Sequence, residues 1–169
     1  MTDAFESFYS YKPSLYLQYG RRLLSVNPAN GSQTYIHNEG EYGKFYGNAP
    51  STCILKTILG DNGNVTKTFD NLEYLSEVYD TSKLDIFNET FDRLRLRNEY
   101  QDTGLINLTN NTNIKRRMRT WRTYFPRAVS DNKSRIRNPW VELTLEYDNN
   151  ANKRFVLHDL IYSYTPSPL

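Results

Sequence analysis

The chain has 169 residues, of which 38% are hydrophobic and 24% charged, and its formal net charge at pH 7 is +2. A chain of this length can bury roughly 70% of its unfolded surface, so we predict one domain over residues 1–169. Its 14 tyrosines, 8 phenylalanines and 2 tryptophans exclude a disordered chain, and the lack of amphipathic helical stretches argues against a helical bundle. No signal peptide or membrane-length apolar run is recognisable, so we expect no contact with a membrane.

The N-terminal part of the sequence predicts an arm followed by a group of strands. Residues 1–12 are aromatic but irregular, which is compatible with a strand or with an arm that docks on a neighbouring molecule. Leu15, Leu17 and Tyr19 fall at every second position, as expected of a strand. The sequence Asn-Pro-Ala-Asn-Gly at 27–31 is a strong turn signal and predicts a hairpin.

Glycine and aromatic residues are concentrated between residues 39 and 48, a composition typical of an ordered surface loop. Such loops also lie flat against a sheet or a partner, so the aromatic residues of this loop are candidate contacts for a ligand or a partner. Together with the two tryptophans of the chain, the candidates are Tyr42, Phe45, Tyr46, Trp121 and Trp140.

Two hairpins are predicted from the apolar segments that flank strong turn signals. Residues 51–59 form a predicted strand, and Asp-Asn-Gly-Asn at 61–64 predicts a tight hairpin turn after it. Apolar residues alternate over residues 140–147 and again over 155–164, and the polar stretch between them predicts the turn of a second hairpin.

An internal repeat covers residues 68–80 and returns without a gap at residues 90–102. Six of the thirteen aligned positions are identical, beginning with Thr-Phe-Asp-x-Leu in both copies. Apolar residues occupy every second position, which is the period of a strand with one wet face. The interior-facing position is polar in both copies, Ser76 and Asn98, which predicts a bulge or strand end rather than deep core. A short repeat of strand units favours a stacked or radial all-β architecture.

Counted along the chain, these segments give about nine strands and no helix. Trp121 shares a predicted strand face with Thr123 and Phe125, and Pro126 ends that strand. Residues 165–169 are predicted to be a tail that does not extend a sheet. We therefore predict an all-β fold with antiparallel sheets, either a β-sandwich or a propeller-like domain.

Residue types that carry chemistry are present, but their spacing supports no enzymatic or metal site. His37 and His158 have no partner at a metal-ligand spacing, and the single cysteine, Cys53, is flanked by apolar residues as a core residue would be. Residues 148–159 imitate part of a calcium loop but lack its central glycine, so a hairpin turn is the preferred interpretation. We predict no catalytic residue, no metal and no cofactor.

The strongest electrostatic feature is the segment from residue 115 to residue 137, which holds nine basic residues and one acid. The rest of the chain is net negative, so the segment predicts a basic face that docks on the acidic face of a neighbouring subunit. A solvated strand face without a partner and a nucleic-acid site are the alternatives. The residues of this predicted basic face are Lys115, Arg116, Arg117, Arg119, Arg122, Arg127, Arg135 and Arg137.

Several motifs, taken together and in order, resemble a known family. Phe-Tyr-Ser-Tyr-Lys-Pro-Ser-Leu-Tyr at 8–16 is followed by Tyr-Ile-His-Asn at 35–38 and Gly-Lys-Phe-Tyr-Gly at 43–47. After the repeat come Phe-Pro-Arg at 125–127 and Arg-Ile-Arg-Asn-Pro-Trp at 135–140. This ordered set is similar, over essentially the whole chain, to the C-terminal part of the muzzle, or stabilization, protein of crAss-like bacteriophage tails.

The resemblance implies a virion structural protein at the distal end of a short tail, where it helps to close the channel over packaged DNA. It implies other phage tail proteins as partners, a homo-oligomeric ring such as a hexamer, and weak contact with packaged DNA. The expected location is the virion tail, after synthesis in the cytoplasm of an infected bacterium. Proteins of this family are much longer, so the chain is expected to be a C-terminal piece or a short homologue.

A carbohydrate- or receptor-binding β-sandwich module at the tail tip is the alternative function. Its support is the high tyrosine and tryptophan content, together with the location that the resemblance implies. The structural role is preferred because the strand repeat and the separation of charge along the sequence are features of assembly rather than of a ligand site.

Overall fold

A computed structural model describes residues 12–49, 51–61, 63–129 and 134–167. These residues form twelve β-strands and no helix, and every pair of neighbouring strands is antiparallel. The prediction of an antiparallel all-β fold is therefore confirmed, with twelve strands where about nine were expected. The docking arm predicted at residues 1–12 falls outside the described residues, apart from Lys12.

The chain divides into two compact units, Met1–Pro50 and Ser51–Leu169. The first unit contains one sheet, and the second contains two. The prediction of a single domain over residues 1–169 stays a prediction.

The first unit is a three-stranded antiparallel meander. Its strands are β1 (Leu15–Tyr19), β2 (Arg22–Asn27) and β3 (Asn30–Ile36). β2 ends and β3 begins within the predicted turn at 27–31, so this hairpin is confirmed.

The strands of the second unit are β4 (Cys53–Leu59), β5 (Lys67–Tyr79), β6 (Arg93–Arg97), β7 (Ile106–Asn107), β8 (Ile114–Arg117), β9 (Thr120–Tyr124), β10 (Arg137–Asn138), β11 (Val141–Tyr147) and β12 (Arg154–Pro166). The front sheet has the strand order β4–β11–β6–β7. The back sheet has the order β10–β5–β9–β8, and β12 pairs with the other edge of β5. Because β12 continues to Pro166, paired with Lys67, the predicted tail at 165–169 is wrong for its first two residues.

The front and back sheets pack face to face, and the hydrophobic core lies between them. Two ring contacts cross this interface: the centroid of Phe155 on β12 lies 4.7 Å from that of Tyr147 on β11 and 4.6 Å from that of Phe91. Each fully buried aliphatic or aromatic side chain contributes roughly 1.5–3 kcal/mol to stability. The largest buried side chains of this core include Trp121, Tyr74, Leu72, Leu94, Leu96, Ile114, Ile136, Leu143 and Leu145.

The two copies of the repeat lie in opposite sheets, the first in β5 and the second in and before β6. The alternation prediction is confirmed at the first two apolar positions, since Leu72 and Tyr74 are buried and so are Leu94 and Leu96; it is wrong at the third, where Val78 is buried but its counterpart Tyr100 is 78% exposed.

The polar position is buried in both copies, with Ser76 1% and Asn98 6% exposed, so the prediction against deep core is wrong. The predicted bulge or strand end is present in each copy, because the register of β5 and β12 shifts beside Ser76 and β6 ends just before Asn98. The Thr90 hydroxyl lies 3.1 Å from the Ser76 hydroxyl and donates to Tyr74 Oη at 2.9 Å, which links the copies.

Both hairpins predicted for this unit are wrong, because each turn carries the chain from one sheet to the other. β4 lies in the front sheet and β5 in the back sheet, so the turn at 61–64 connects sheets. β11 and β12 are separated in the same way. Turn signals fix where a strand stops, but they do not specify which strand becomes its neighbour.

The first crossing is held in place by Gly60 and Lys67. Gly60 has a φ of +149°, and a Cβ at this position would lie 2.7 Å from the carbonyl oxygen of Pro139. The fully buried Lys67 Nζ donates to the carbonyl oxygens of Val65 at 3.2 Å and Pro139 at 3.1 Å, and lies 3.7 Å from the Asp61 carboxylate. A buried ammonium group requires such partners, so Lys67 ties this crossing to the segment before β11.

Candidate functional site

The predicted basic face does not form one uniform surface. Seven of its eight residues are exposed, and Arg116 alone is half-buried. β8 and β9 pair so that Lys115 lies opposite Arg122 and Arg117 lies opposite Thr120. These four positions share the outer face of the back sheet, because the intervening residues point into the core.

Arg116 points away from this outer face. Its guanidinium carbon lies 5.5 Å from the ring centroid of Phe87 and 5.6 Å from that of Trp121. It also donates a hydrogen bond to the carbonyl oxygen of Phe87. Arg116 therefore supports the fold through cation–π contacts and is not available as a docking residue.

Three further basic residues are paired with acids of β5. Arg119 pairs with Glu77, Arg122 Nε lies 3.1 Å from Glu73, and Arg135 Nη1 lies 3.1 Å from Asp70. Sequence reasoning treated these residues as free cations because their partners lie 42 or more positions away.

The turn between β8 and β9 has an unusual backbone. Met118 and Arg119 have φ angles of 47° and 69°, the left-handed conformation that hairpin turns of this length require and that glycine or asparagine adopts most easily. Met118 is 99% exposed, so its side chain gains nothing from packing within the described residues. A strained turn that presents an apolar side chain is a feature of contact sites.

A cleft of about 670 Å³ lies beside this hairpin, and we call it the basic cleft. Four cations and one acid contribute to its walls, with an apolar base. Tyr124, at its rim, is 80% exposed. The residues that line the basic cleft are Asn71, Glu73, Leu94, Ile106, Leu108, Thr112, Asn113, Lys115, Arg117, Arg122, Thr123, Tyr124, Phe125, Pro126 and Arg127.

A second cleft of about 460 Å³ adjoins the basic cleft and shares Tyr124 and Arg127 with it. Arg135 and Asp70 also line it. The two clefts bring together five of the eight residues predicted from the sequence: Lys115, Arg117, Arg122, Arg127 and Arg135. Arg116, Arg119 and Arg137 line neither cleft.

The predicted aromatic contacts are dispersed rather than gathered in one place. Trp121 is 0% exposed and belongs to the core, so its assignment as a contact residue is wrong. Trp140 is half-buried in the second unit. Tyr42 and Phe45 of the first unit are 50% and 41% exposed and stay candidate contacts.

Tyr46 is half-buried in a polar cluster of the first unit. The hydroxyl oxygen of Ser25 lies 2.6 Å from Nε2 of His37 and 2.9 Å from the Tyr46 hydroxyl. The ring of Tyr46 meets that of Tyr35 edge to face, with centroids 5.0 Å apart. These contacts fix the aromatic loop on the meander and explain the conformation of Tyr46 (φ 56°).

The outer face of the front sheet carries ion pairs that sequence reasoning missed. Arg93 donates from Nε to Glu146 at 2.7 Å and from both Nη atoms to Asp148 at 2.5 and 2.7 Å. Arg95 forms a bidentate pair with Asp102. Hydrogen bonds from Arg93, and then from Thr52, lower the pKa of Asp148 below its ordinary value. The alternation of arginine and leucine over residues 93–97 was the only feature of the sequence that indicated this network.

Glu77 is the centre of a second cluster, at the β8–β9 end of the back sheet. Tyr79 donates to this carboxylate at 2.7 Å, His158 Nε2 lies 3.0 Å away, and Arg119 completes the set. These groups, in that order of importance, lower the pKa of Glu77 from 4.5 to about 2. His158 therefore has a structural partner, which its position in the sequence did not reveal.

Over residues 12–49, 51–61, 63–129 and 134–167, no group of three or more His, Cys, Asp or Glu side chains is placed to hold a metal ion. Those residues also contain no helix long and apolar enough to cross a membrane. The candidate site is therefore the pair of adjoining clefts, whose walls contain more cations than acids.

Comparison with known proteins gives two matches. Residues 40–128, more than half of the chain, match the family model of the Crassvirus muzzle protein C-terminal domain. The chain is also similar to the muzzle protein of Bacteroides phage crAss001, with 34% identity over 134 residues. That match covers 74% of this chain but 9% of the phage protein, so the chain spans less than a tenth of the length of this curated relative.

Proposed function

We infer the function from one premise: the chain belongs to the crassvirus muzzle protein C-terminal domain family. It is a structural component of a phage virion and works by assembly with other proteins of the tail, where it contributes to closure of the channel. The basic cleft is its docking surface for the acidic face of a neighbouring tail subunit. No substrate is turned over in this role.

The observation that carries the proposal is the unbalanced charge at the mouth of the basic cleft. Lys115 and Arg117 are exposed, and among the described residues no acid forms an ion pair with either of them. Glu73, the one acid that lines the cleft, is already paired with Arg122. An acidic partner would gain charge-assisted contacts here without displacing an existing ion pair.

The neighbouring side chains suit a protein partner. Met118, at the tip of the hairpin, and Tyr124, at the rim of the cleft, are both largely exposed. Aromatic residues, methionine and arginine are the residue types enriched in protein interfaces. Family membership also supports a protein partner, because a component of a virion is surrounded by other subunits.

The proposal is tested by adding the labelled chain to tail complexes isolated from virions of the phage that encodes it. The variant K115E/R117E reverses the charge of the cleft, and the matched control R21E/K83E reverses two exposed cations elsewhere. We expect the first variant to lose at least about tenfold in affinity and the control to bind normally, because only the first opposes the partner's acids. Equal binding by wild type and K115E/R117E would contradict the proposal.

Two further probes separate this role from the alternatives. Retention of the chain on duplex DNA, decreasing steeply with salt and abolished in K115E/R117E, would assign the cleft to nucleic acid instead. Binding to acidic oligosaccharides on a glycan array, lost in the variant Y124A, would assign it to a receptor. The protein-docking role requires that the chain binds tail complexes and that both of these probes are negative.

A further inference from the structure

Strand β4 forms an open edge of the front sheet. It makes seven consecutive antiparallel pairs with β11, from Cys53 opposite Tyr147 to Leu59 opposite Val141, without a bulge. Within the described residues, no strand lies on its other side. The backbone N–H and C=O groups that face away from β11 are therefore available to pair with another strand.

The other edge strands of this unit are protected against such pairing. β7 and β10 are two residues long, and β8 is a four-residue strand with two exposed cations. β12 is long, but its register shifts twice, between Leu157 and Asp159 and between Ser163 and Tyr164. Short length, charge and bulges are the usual protections of an edge, and β4 has a single exposed lysine, Lys56.

The outer side chains of β4 are apolar and exposed. Ile54 is 53% exposed and Ile58 is 59% exposed, with Lys56 between them. On the inner side, Leu59 is buried and Leu55 is half-buried against the core. Exposed isoleucines on an unpaired, regular edge are a typical feature of a strand that has a partner.

The side-chain pattern of β4 is symmetric about Lys56. In an antiparallel pair of two β4 strands centred on this residue, Ile54 of one copy lies opposite Ile58 of the other, and Cys53 lies opposite Leu59. The same patch then serves both copies, which is the requirement for a two-fold contact. We propose that β4 is the edge through which a second copy of this chain joins, so that the two front sheets form one continuous sheet.

One feature of this arrangement is unfavourable, and it makes the proposal testable. The two copies of Lys56 lie directly opposite each other, and like charges at that position weaken a strand pair. Each lysine is diagonal to Glu142 and Glu146 of its own β11, and Glu142 forms no ion pair within the described residues. These two carboxylates reduce the repulsion without removing it.

Light scattering of the full chain over a range of concentrations tests the proposal. We expect a monomer–dimer equilibrium that the single substitution Ile54→Lys abolishes, because the two-fold axis places the new charge in the interface twice. Lys56→Thr is expected to tighten dimerisation about two- to fivefold, since it removes the opposed charges. Far-UV circular dichroism and urea unfolding show that each variant is folded, which is expected because both side chains are exposed.

Cys53 gives an independent readout, because it lies on β4 itself and is exposed, so its interpretation as a core residue is wrong. Its rate of alkylation by a maleimide is expected to decrease as the protein concentration passes through the range where dimers form, and to stay constant in Ile54→Lys. The variant K115E/R117E serves as a control and keeps both behaviours, so failure of the basic cleft and failure of this edge are distinguishable. A chain that stays monomeric at high concentration, or an Ile54→Lys variant that dimerises like wild type, would overturn the proposal.

Discussion

The outer faces of the two sheets in the second unit carry similar residues and behave differently. On the front sheet, Arg93 and Arg95 each form a bidentate pair with an acid. Neither guanidinium group is therefore free to bind a partner. On the back sheet, Lys115 and Arg117 stand at the mouth of a cleft whose one acid is already paired. We call the region of Arg93 and Arg95, where each cation is paired with an acid, the closed face, and the region of Lys115 and Arg117 the open face.

The difference comes from which acids the strand register places beside each cation, and not from their distance along the chain. Arg93 is bonded to residues 53 and 55 positions away, and Arg95 to a residue seven positions away. A count of charges along the sequence cannot separate these arginines from the basic run, because pairing depends on which strands become neighbours. Net charge over a segment therefore identifies a candidate surface, and only the register shows whether that surface is neutralised.

The largest expected effect is on the closed face. Arg93→Ala leaves Glu146 and Asp148, which are 17% and 29% exposed, without their shared partner. We expect the free energy of unfolding, measured by urea denaturation, to decrease more than in any of the variants described below. Arg97→Ala, on the same strand but fully on the exposed side, is the control and is expected to change stability by less than about 0.5 kcal/mol. Equal effects of the two variants would show that the ion pairs of Arg93 add nothing to stability.

A smaller effect is expected at Glu77, the acid of the back sheet that is bonded by Tyr79, Arg119 and His158. Its pKa is lowered from 4.5 to about 2, so its contribution is complete above about pH 4.5 and is lost as the pH falls toward about 2. Glu77→Gln is expected to cost about 1 kcal/mol at neutral pH, since two of its partners are exposed and screened. The difference in unfolding free energy between wild type and Glu77→Gln should shrink on acidification, and a difference that is constant from pH 6 to pH 2.5 would contradict this assignment.

The strained turn of the open face predicts a gain in stability. Met118→Gly removes a side chain from a residue with a φ of 47° and is expected to stabilise the chain by about 0.5–1 kcal/mol. Met118→Ala keeps the Cβ and is expected to show no such gain. Thermal denaturation of the two variants distinguishes relief of backbone strain from loss of an exposed methionine.

The smallest effect is expected for the two cations of the open face. Lys115→Ala with Arg117→Ala is expected to change the unfolding free energy by no more than about 0.5 kcal/mol, because neither cation has a partner within the described residues. The same urea experiment as for Arg93→Ala provides the measurement. A loss comparable to that of Arg93→Ala would show that the open face is part of the fold and not a docking surface.

The sequence was sufficient to predict an all-β fold and its long strands, but not the shortest strands or the neighbours of each strand. Alternation identified β11 and both copies of the repeat because a period of two is a local property. The turn at 61–64 was assigned to a hairpin, and it joins two sheets instead. Turn residues determine a local change of direction, whereas strand pairing is decided by the packing of segments distant in sequence.

Only some residues of the candidate site could be predicted, because the side of a strand on which each cation lies depends on how that strand packs. The basic run identified Lys115, Arg117 and Arg127, which line the basic cleft. Arg116 lies on the neighbouring position of the same strand and points to the opposite side, toward Trp121. A count of basic residues does not distinguish neighbours such as these, whereas in a strand successive side chains point to opposite faces of the sheet.

The long pairing between β5 and β12 has a consequence for synthesis of the protein. β5 forms near the middle of the chain, yet one of its edges receives a partner only when β12, which runs to Pro166, has left the ribosome. Until then the nascent polypeptide exposes an apolar strand, and such intermediates aggregate or require chaperones. The second unit therefore completes its fold only after β12 has been synthesised, and its surfaces become available to other subunits only after that point.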